Sequence, residues 1–435
     1  MGIVRDGSLA WATGVGYADL ATGARPNERT LYRIASITKT FTATAVLQLR
    51  DEGRLRLDDA LAEYMPEFAV VANPFGPIED VTIRRLLLHR SGLQSEQPVV
   101  DPRKATFLRV DALMGMLDRV RVAVPPESAF KYSNLGYAFL GEVVRRLSGL
   151  PLAEYVADRI TGPLGMASTV HEARGQLAAR CAVGYDARLF DDRGAVAREI
   201  DSLSVEGDAG LWSSVEDLAL WVSQQFRRGT DFVPQGDQVL RGSTLREMHR
   251  SVALNDTAWS EAQGIGWYTT REDGVSWVGH SGTVYGFTTN ISFEPEEGLG
   301  AIVLLNGIGP ADKLARNLAA EVLPVHRDAA DAKQVAAAPP DPTPPAWQEL
   351  LGAYQEVEFA WEVRIECRGA DLVCVTPETL ETPCVLEPTP DPRLFTVRGG
   401  RQSGETALFL RGTDGGVDGL NLGGVPMIRL SRTTR

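Results

Sequence analysis

The sequence predicts an α/β protein in which an antiparallel sheet is flanked by helices and carries a helical insert, followed by a small all-β barrel. Three observations point there. Strand-like runs lie at both ends of the first 335 residues, helix-like runs fill the stretch between them, and a proline-rich run at 336–345 is followed only by short strand-like runs. The predicted domains are therefore 1–335, a linker at 336–345, and 346–435.

The elements follow in order. Gly2 to Val4 and Leu9 to Tyr17 read as strands joined at Asp6-Gly7, a strong hairpin signal. Ile37 to Glu52 reads as a helix ending at Gly53, and Leu135 to Leu147 as another ending at Gly149. Ser213 with Glu216 fits a capping box ahead of an apolar-periodic run. Ser276–Val278, Thr288–Phe293 and Leu299–Leu305 then read as strands, and Lys313 to Ala338 as an Ala-rich helix. The run AAAPPDPTPP at 336–345 lacks amide protons at its prolines, so it continues neither helix nor sheet and serves as a stiff spacer. Beyond it, Trp361–Glu366, Leu372–Thr376, Leu394–Val397, Thr406–Leu410, Val417–Leu422 and Met427–Leu430 read as strands separated by Gly, Pro and Asp turns, the spacing of a small antiparallel barrel or sandwich.

Composition removes several function classes. With 44% hydrophobic and 23% charged residues the chain is an ordinary globular one, not a disordered or fibrous one. A net charge of −13 with no basic stripe argues against a nucleic-acid partner. Apolar runs such as Ala301–Leu305 fall far short of the ~20 residues of a membrane helix. Cys181, Cys367, Cys374 and Cys384 show no C-x2-C spacing and read as inert small side chains. Met1 to Ala10 has no basic segment followed by an apolar one, so no signal peptide is expected and the chain as written is cytoplasmic. There is no H-E-x-x-H, no H-x-H-x-D and no phosphate-binding G-x-x-x-x-G-K-[ST]. Gly279 to Thr283 misses the nucleophile elbow because Thr283 stands at the last glycine, and Gly14-Val15-Gly16 reads as a strand bend.

Three local patterns carry chemistry. In RIASITKTFTATAVLQL, Ser36 opens an apolar helix and Lys39 follows on the same face. Burial disfavours the charged form of an amine, which makes a neighbouring lysine a means of activating a hydroxyl. Alone, the pattern equally describes a serine cap and a surface lysine. In FKYSNLGYAF, Ser133 or Asn134 caps the next helix. A phenol near an ammonium gives up its proton more easily, so Tyr132 is a candidate acid and base, and Asn134 a candidate amide for a substrate carbonyl. In SWVGHSGTVYGF, Gly282 after His280 and Ser281 would let a substrate backbone approach closely, and the Thr283 amide would pair with that of Ser36 as an oxyanion hole.

S-x-x-K, then Y-x-N about a hundred residues later, then H-x-G resemble the three-motif set of serine β-lactamases and penicillin-binding proteins, in the class C variant. That branch includes D-alanyl-D-alanine carboxypeptidases, D-aminopeptidases and esterases. TIRRLLLHRSGL at 82–93, GPLGMAST at 162–169, GLWSSVEDLALW at 210–221 and GFTTNISFEPEEGLGAIVLLN at 286–306 resemble it too, so the likeness covers roughly residues 2–323. It implies a serine β-lactamase/transpeptidase-like fold with Ser36 as the nucleophile of an acyl-enzyme, and Lys39 and Tyr132 as shared acid and base. Asn134, His280, Ser281 and Gly282 would hold the substrate, and the Ser36 and Thr283 amides would form the oxyanion hole. His89 falls in a loop-shaping motif and reads as structural. The implied substrates are D-amino-acid peptides, β-lactams or small esters, with no cofactor and no metal. The alternative is a penicillin-recognising or interaction protein of the same fold without turnover.

Two departures from the family's pattern stand out. Met1 falls inside the strand that usually follows an opening helix, which leaves an exported precursor open, and Ser281 stands where many relatives carry threonine. The segment opening WQELLGAY resembles the lipocalin-like barrels appended to some D-amino-acid peptidases. It is expected to wall the active site, to mediate homo-oligomerisation, or to be passive.

Overall fold

A computed structural model of the chain describes residues 1–98, 107–188, 191–229, 238–258, 260–336, 344–357, 362–376, 383–400 and 402–430. They form two compact units, Met1–Arg327 and Asp328–Arg435.

The first unit opens with strands β1 (Gly2–Arg5) and β2 (Ser8–Ala12). Asp6 and Gly7 between them both have positive φ, 51° and 76°, as a tight primed turn requires. β2 ends five residues earlier than the expected Tyr17. The chain turns away at Gly14, where a Cβ would stand 2.0 Å from the Pro26 carbonyl oxygen. Among shorter helical turns, three long helices follow: α1 (Thr38–Asp51), α2 (Asn134–Ser148) and α3 (Val215–Gln225). Then come β3 (Ala253–Leu254), β4 (Glu261–Gln263), β5 (Tyr268–Glu272), β6 (Val275–Val284), β7 (Phe287–Glu294) and β8 (Leu299–Leu305), and last α4 (Ala311–Ala336). The expected helix ran to Ala338, which lies outside the described residues.

The strands make one antiparallel sheet in the order β2-β1-β8-β7-β6-β5-β4-β3. β1 pairs with β8 from Gly2↔Ile302 to Arg5↔Leu299, so the two ends of the unit close the sheet as the sequence predicts. The apolar run of β8 is covered on both faces. Leu299, Ala301 and Val303 pack with Ala311, Ala315, Ala319 and Leu323 of α4, which recur at helical spacing. Ile302 and Leu304, pointing the other way, join the main core with Phe41 of α1 and Trp221 of α3.

α1 is buried from Thr38 to Leu49, which makes it the central helix rather than a surface one. α2 is capped by Ser133, whose hydroxyl accepts the Gly136 amide, and ends at Gly149 with φ 80°. α3 is capped by Ser214, whose hydroxyl accepts the Asp217 amide, not by Ser213 as expected. Ser213 pairs with Tyr32 in a short two-stranded ladder, which holds it extended and moves the cap one residue on. Among the described residues no helix is long and apolar enough to cross a membrane.

The second unit is a closed barrel of eight strands in sequential order: Gly352–Glu356, Glu362–Arg368, Asp371–Val375, Cys384–Pro388, Leu394–Arg398, Thr406–Arg411, Val417–Leu422 and Val425–Arg429. The last strand closes on the first through Tyr354↔Arg429. Alternate residues fill the interior, among them Val363 and Ile365, Phe395 and Val397, Ala407 and Phe409. The first and fourth strands were not legible beforehand; Trp361 of the expected Trp361–Glu366 run and most of the proline-rich run, 337–343, lie outside the described residues. All four cysteines are free.

Candidate active site

The site is assembled around the turn that precedes α1. Ala35, Ser36 and Ile37 form a single 3-10 turn, with the Ile37 amide donating to the Ile34 carbonyl at 3.2 Å. Ala35 holds φ at 47°, a left-handed conformation that a residue with a Cβ rarely adopts unless its surroundings enforce it. They do so here from two sides. The Ile34 amide donates to Leu211 O at 3.0 Å, and the Ile34 carbonyl accepts the Thr289 hydroxyl of β7 at 3.0 Å.

Gly282 of β6 completes the clamp. A Cβ there would lie 2.3 Å from Ile34 O and 3.0 Å from the Ala35 Cβ. Sequence reasoning gave this glycine to the substrate's approach; the structure fills the space with the serine turn itself. The motif His280–Thr283 lies within β6 rather than after a strand, with Ser281 opposite Asn290 and Thr283 opposite Thr288. Thr283 is exposed, Ser281 half-buried, and His280 buried. The His280 Nδ1 lies 2.6 Å from the Ser281 carbonyl, and its ring centre is 5.3 Å from that of Tyr268.

Lys39 lies one turn into α1 and is fully buried. Its Nζ stands 3.1 Å from Ser36 Oγ, 2.7 Å from Asn134 Oδ1 and 2.9 Å from the Asp208 carbonyl oxygen. Its remaining surroundings are aromatic, with Nζ 4.9 Å from the ring centre of Tyr132 and 5.7 Å from that of Tyr137. Ser36, Lys39, Tyr132 and Asn134 are thus brought to one place from the N-terminal ends of α1 and α2 and the segments that lead into them.

The segment 131–135 is cross-braced to the loop 89–96. His89 holds φ at 54°, its carbonyl accepts the Lys131 amide at 2.8 Å, and its Nδ1 accepts the Ser133 amide at 3.1 Å. Accepting at Nδ1 places the ring proton on Nε2. The Ser133 hydroxyl donates to Gln94 O at 2.7 Å, and the Leu135 amide to Ser95 O at 3.1 Å. The ring that lies against Tyr132 is that of His89, with centres 4.3 Å apart.

The electrostatics follow from burial and from Lys39. Burial, reinforced by the Lys39 charge, pushes His280 down to about 3 and His89 well below the ordinary histidine range, so both rings are neutral. Burial pushes the Asp208 carboxyl up to about 7; Glu96 adds to the rise and the Lys39 charge opposes it. Glu96 and Asp208 are the residues sequence reasoning missed. Glu96 is exposed, in the loop after Ser91-Gly92-Leu93, and its Oε1 accepts the Asn134 Nδ2 at 2.7 Å. Asn134, expected to offer its amide to a substrate, has its oxygen on Lys39 and its nitrogen on Glu96. Nothing local in the sequence flagged Glu96. Asp208 had only the weak signal of an acid set among small residues, Gly207-Asp208-Ala209-Gly210.

Comparison with known proteins agrees with this architecture. Protein flp of Staphylococcus aureus is 29% identical over 305 residues, 70% of this chain and 58% of that relative, so the chain spans little more than half its length. The D-alanyl-D-alanine-carboxypeptidase/endopeptidase AmpH of Escherichia coli (strain K12) is 27% identical over 311 residues, 70% of this chain and 78% of AmpH. The solved structure of the octameric penicillin-binding protein homologue from Pyrococcus abyssi covers 98% of this chain and 95% of its own, with a TM-score of 0.62 at 23% identity, and so shares its fold. The family model described as Beta-lactamase matches residues 1–323, and the chain belongs to that family.

Proposed function

We propose that the chain is a serine hydrolase that works through an acyl-enzyme on Ser36, acting on D-amino-acid-containing peptides, β-lactams or small esters. The family and its carboxypeptidase relative indicate a serine hydrolase-type fold. The observation that carries the reading is the placement of Lys39. Asn134 Oδ1 at 2.7 Å and the Asp208 carbonyl oxygen at 2.9 Å hold Nζ from two sides, and Ser36 Oγ at 3.1 Å lies on a third, so that amine and hydroxyl are close enough to exchange a proton.

In this reading Ser36 Oγ attacks the substrate carbonyl while its proton passes to Lys39, with the Tyr132 phenol beside it. The oxyanion is held by the Ser36 and Thr283 amides. As the tetrahedral intermediate collapses, the bond to the leaving group breaks and that group takes the proton. A water then repeats the sequence, releasing the acid and restoring the Ser36 hydroxyl. Ser281, at the half-buried step of β6, is the hydroxyl placed to meet the substrate. His280 is buried and shapes the strand beneath it.

A fluorophosphonate is expected to label Ser36, located by peptide mass spectrometry, and Ser36→Ala to lose the label. Nitrocefin, short-chain nitrophenyl esters and D-amino-acid amides, screened in parallel, identify the substrate class. Equal ester hydrolysis by wild type and Ser36→Ala would defeat the proposal. One acylation without multiple turnovers would instead mark a penicillin-recognising protein that does not turn over.

The clamp on the serine turn supplies a second expectation. Gly282→Ala places a Cβ 2.3 Å from Ile34 O and 2.6 Å from Thr289 Oγ1, and backbone has to move to relieve it. The variant should lose about 1–3 kcal/mol of stability and react with the fluorophosphonate about 100-fold more slowly. Thermal melting and labelling rates measure the two effects; a wild-type labelling rate would show that the turn does not depend on this contact.

A further inference from the structure

The region around Asn134 carries more negative charge than hydrolysis of a neutral ester needs. Glu96 is exposed, so its carboxylate faces solvent, and of its several acceptor positions one is used by Asn134 Nδ2 at 2.7 Å. Asp208 lies close enough that Glu96 contributes to the rise of its pKa. Among the described residues the nearby cations are already engaged. Lys39 has Ser36, Asn134 and Asp208 O on its three sides and reaches Glu96 only through the Asn134 amide. Lys131 Nζ donates to Ser95 Oγ at 2.6 Å, and Arg109 pairs with Asp201 at 2.7 Å.

A carboxylate cannot donate. It therefore offers nothing to a substrate carbonyl, repels a substrate carboxylate, and suits an N–H donor, above all an ammonium. Its position limits where that ammonium sits. Glu96 is one side-chain amide away from Lys39, and Lys39 touches the nucleophile, so the amine it meets lies near the scissile carbonyl. An amine that close to the carbonyl is the α-amine of an aminoacyl group.

We infer that Glu96 is a specificity-determining residue that receives the free α-ammonium of an aminoacyl substrate, so that acyl donors with an unblocked amine are preferred over N-acylated ones. The inference rests on the reading of Ser36 as nucleophile. Asn134 has a positioning part in it: held by Glu96, it keeps its oxygen on Lys39.

The test compares D-alanine benzyl ester with N-acetyl-D-alanine benzyl ester at pH 7, following benzyl alcohol by chromatography. For wild type, kcat/KM should favour the free amine by about tenfold, the scale of one partly exposed charge pair. Glu96→Gln should bring the ratio close to one, Glu96→Lys should invert it, and Glu96→Asp should restore part of it. A loss of rate that falls equally on both esters would show only a structural role and overturn the inference. So would a wild-type ratio of one or below. If neither ester is turned over while fluorophosphonate labels Ser36, the amine preference is wrong and the hydrolase reading stands. If Ser36 is not labelled, both fail together.

Discussion

Replacing Lys39 with methionine is expected to lower turnover by roughly 10³-fold or more, on any ester the wild type hydrolyses, while leaving the fold intact. The size follows from removing the group in contact with the hydroxyl proposed to attack, since a positioned acid or base contributes about 10²–10⁴-fold. That hydroxyl, Ser36 Oγ, lies 3.1 Å from Lys39 Nζ. Folding should survive because two effects oppose each other. Methionine leaves Asn134 Oδ1 and the Asp208 carbonyl without a donor, at about 1–3 kcal/mol for each buried acceptor. It also removes a fully buried amine from among the Tyr132 and Tyr137 rings and fills nearly the same space with an apolar chain. Turnover and a thermal melt on the same sample separate chemistry from stability. A variant that keeps a tenth of the wild-type rate would show that Lys39 does not handle the serine proton.

Acid is expected to unfold the first unit between about pH 4 and 6, before the ordinary carboxylates are fully protonated. His89, His171, His249 and His280 are all buried, 2–6% exposed. Burial pushes His171 down to about 4, His249 and His280 to about 3, and His89 well below the ordinary range, the Lys39 charge adding to the effect at His89 and His280. In the unfolded chain each would take a proton near 6.5. Between 6.5 and about 4 the unfolded state therefore binds more protons than the native one, so stability rises with pH there and falls as pH drops through it.

Every tenfold difference in proton affinity between the folded and unfolded chain is worth about 1.4 kcal/mol, so several such rings weigh noticeably against the ~5–15 kcal/mol that hold a typical domain. Asp208 acts in the other direction. Its carboxyl titrates at about 7 in the fold, so it holds a proton that the unfolded chain has released, and it stabilises the native state as pH falls through that window. Burial raises the carboxyls of Glu206, Asp217 and Glu294 as well, so these four groups offset part, not all, of what the four imidazoles lose. Tryptophan fluorescence followed against pH should show tertiary structure lost between pH 4 and 6, and His171→Gln should move the midpoint lower. A chain that stays native at pH 3 would contradict the burial of these rings.

The parts of this protein that were legible beforehand share a short range. Ser36 and Lys39 are one helical turn apart, Tyr132 and Asn134 flank a capping serine, and Asp6-Gly7 announces a hairpin. Each is a local pattern that backbone geometry ties to a local structure. The parts that were missed are either short or distant. β3, β4 and β5 are too brief and too polar to show a period, and each exists because its neighbour offers an edge: β5 pairs on β6, β4 on β5 and β3 on β4. The capping serine before α3 was misplaced by one residue because a ladder with Tyr32, far away in the chain, decides where the strand stops and the helix begins.

From sequence alone came the family, through the resemblance of its three motifs, together with the sheet closed by both ends of its unit and the appended barrel, for which local spacing and hydrophobic pattern are sufficient. Only the tertiary structure decided that Gly282 makes room for the serine turn, that His89 lies against Tyr132, and that Glu96 and Asp208 stand around the lysine. Lys39 meets Asn134 across 95 positions of chain and Asp208 across 169. Which groups meet over such separations is set by how helices and sheet pack, and no window of sequence contains that packing.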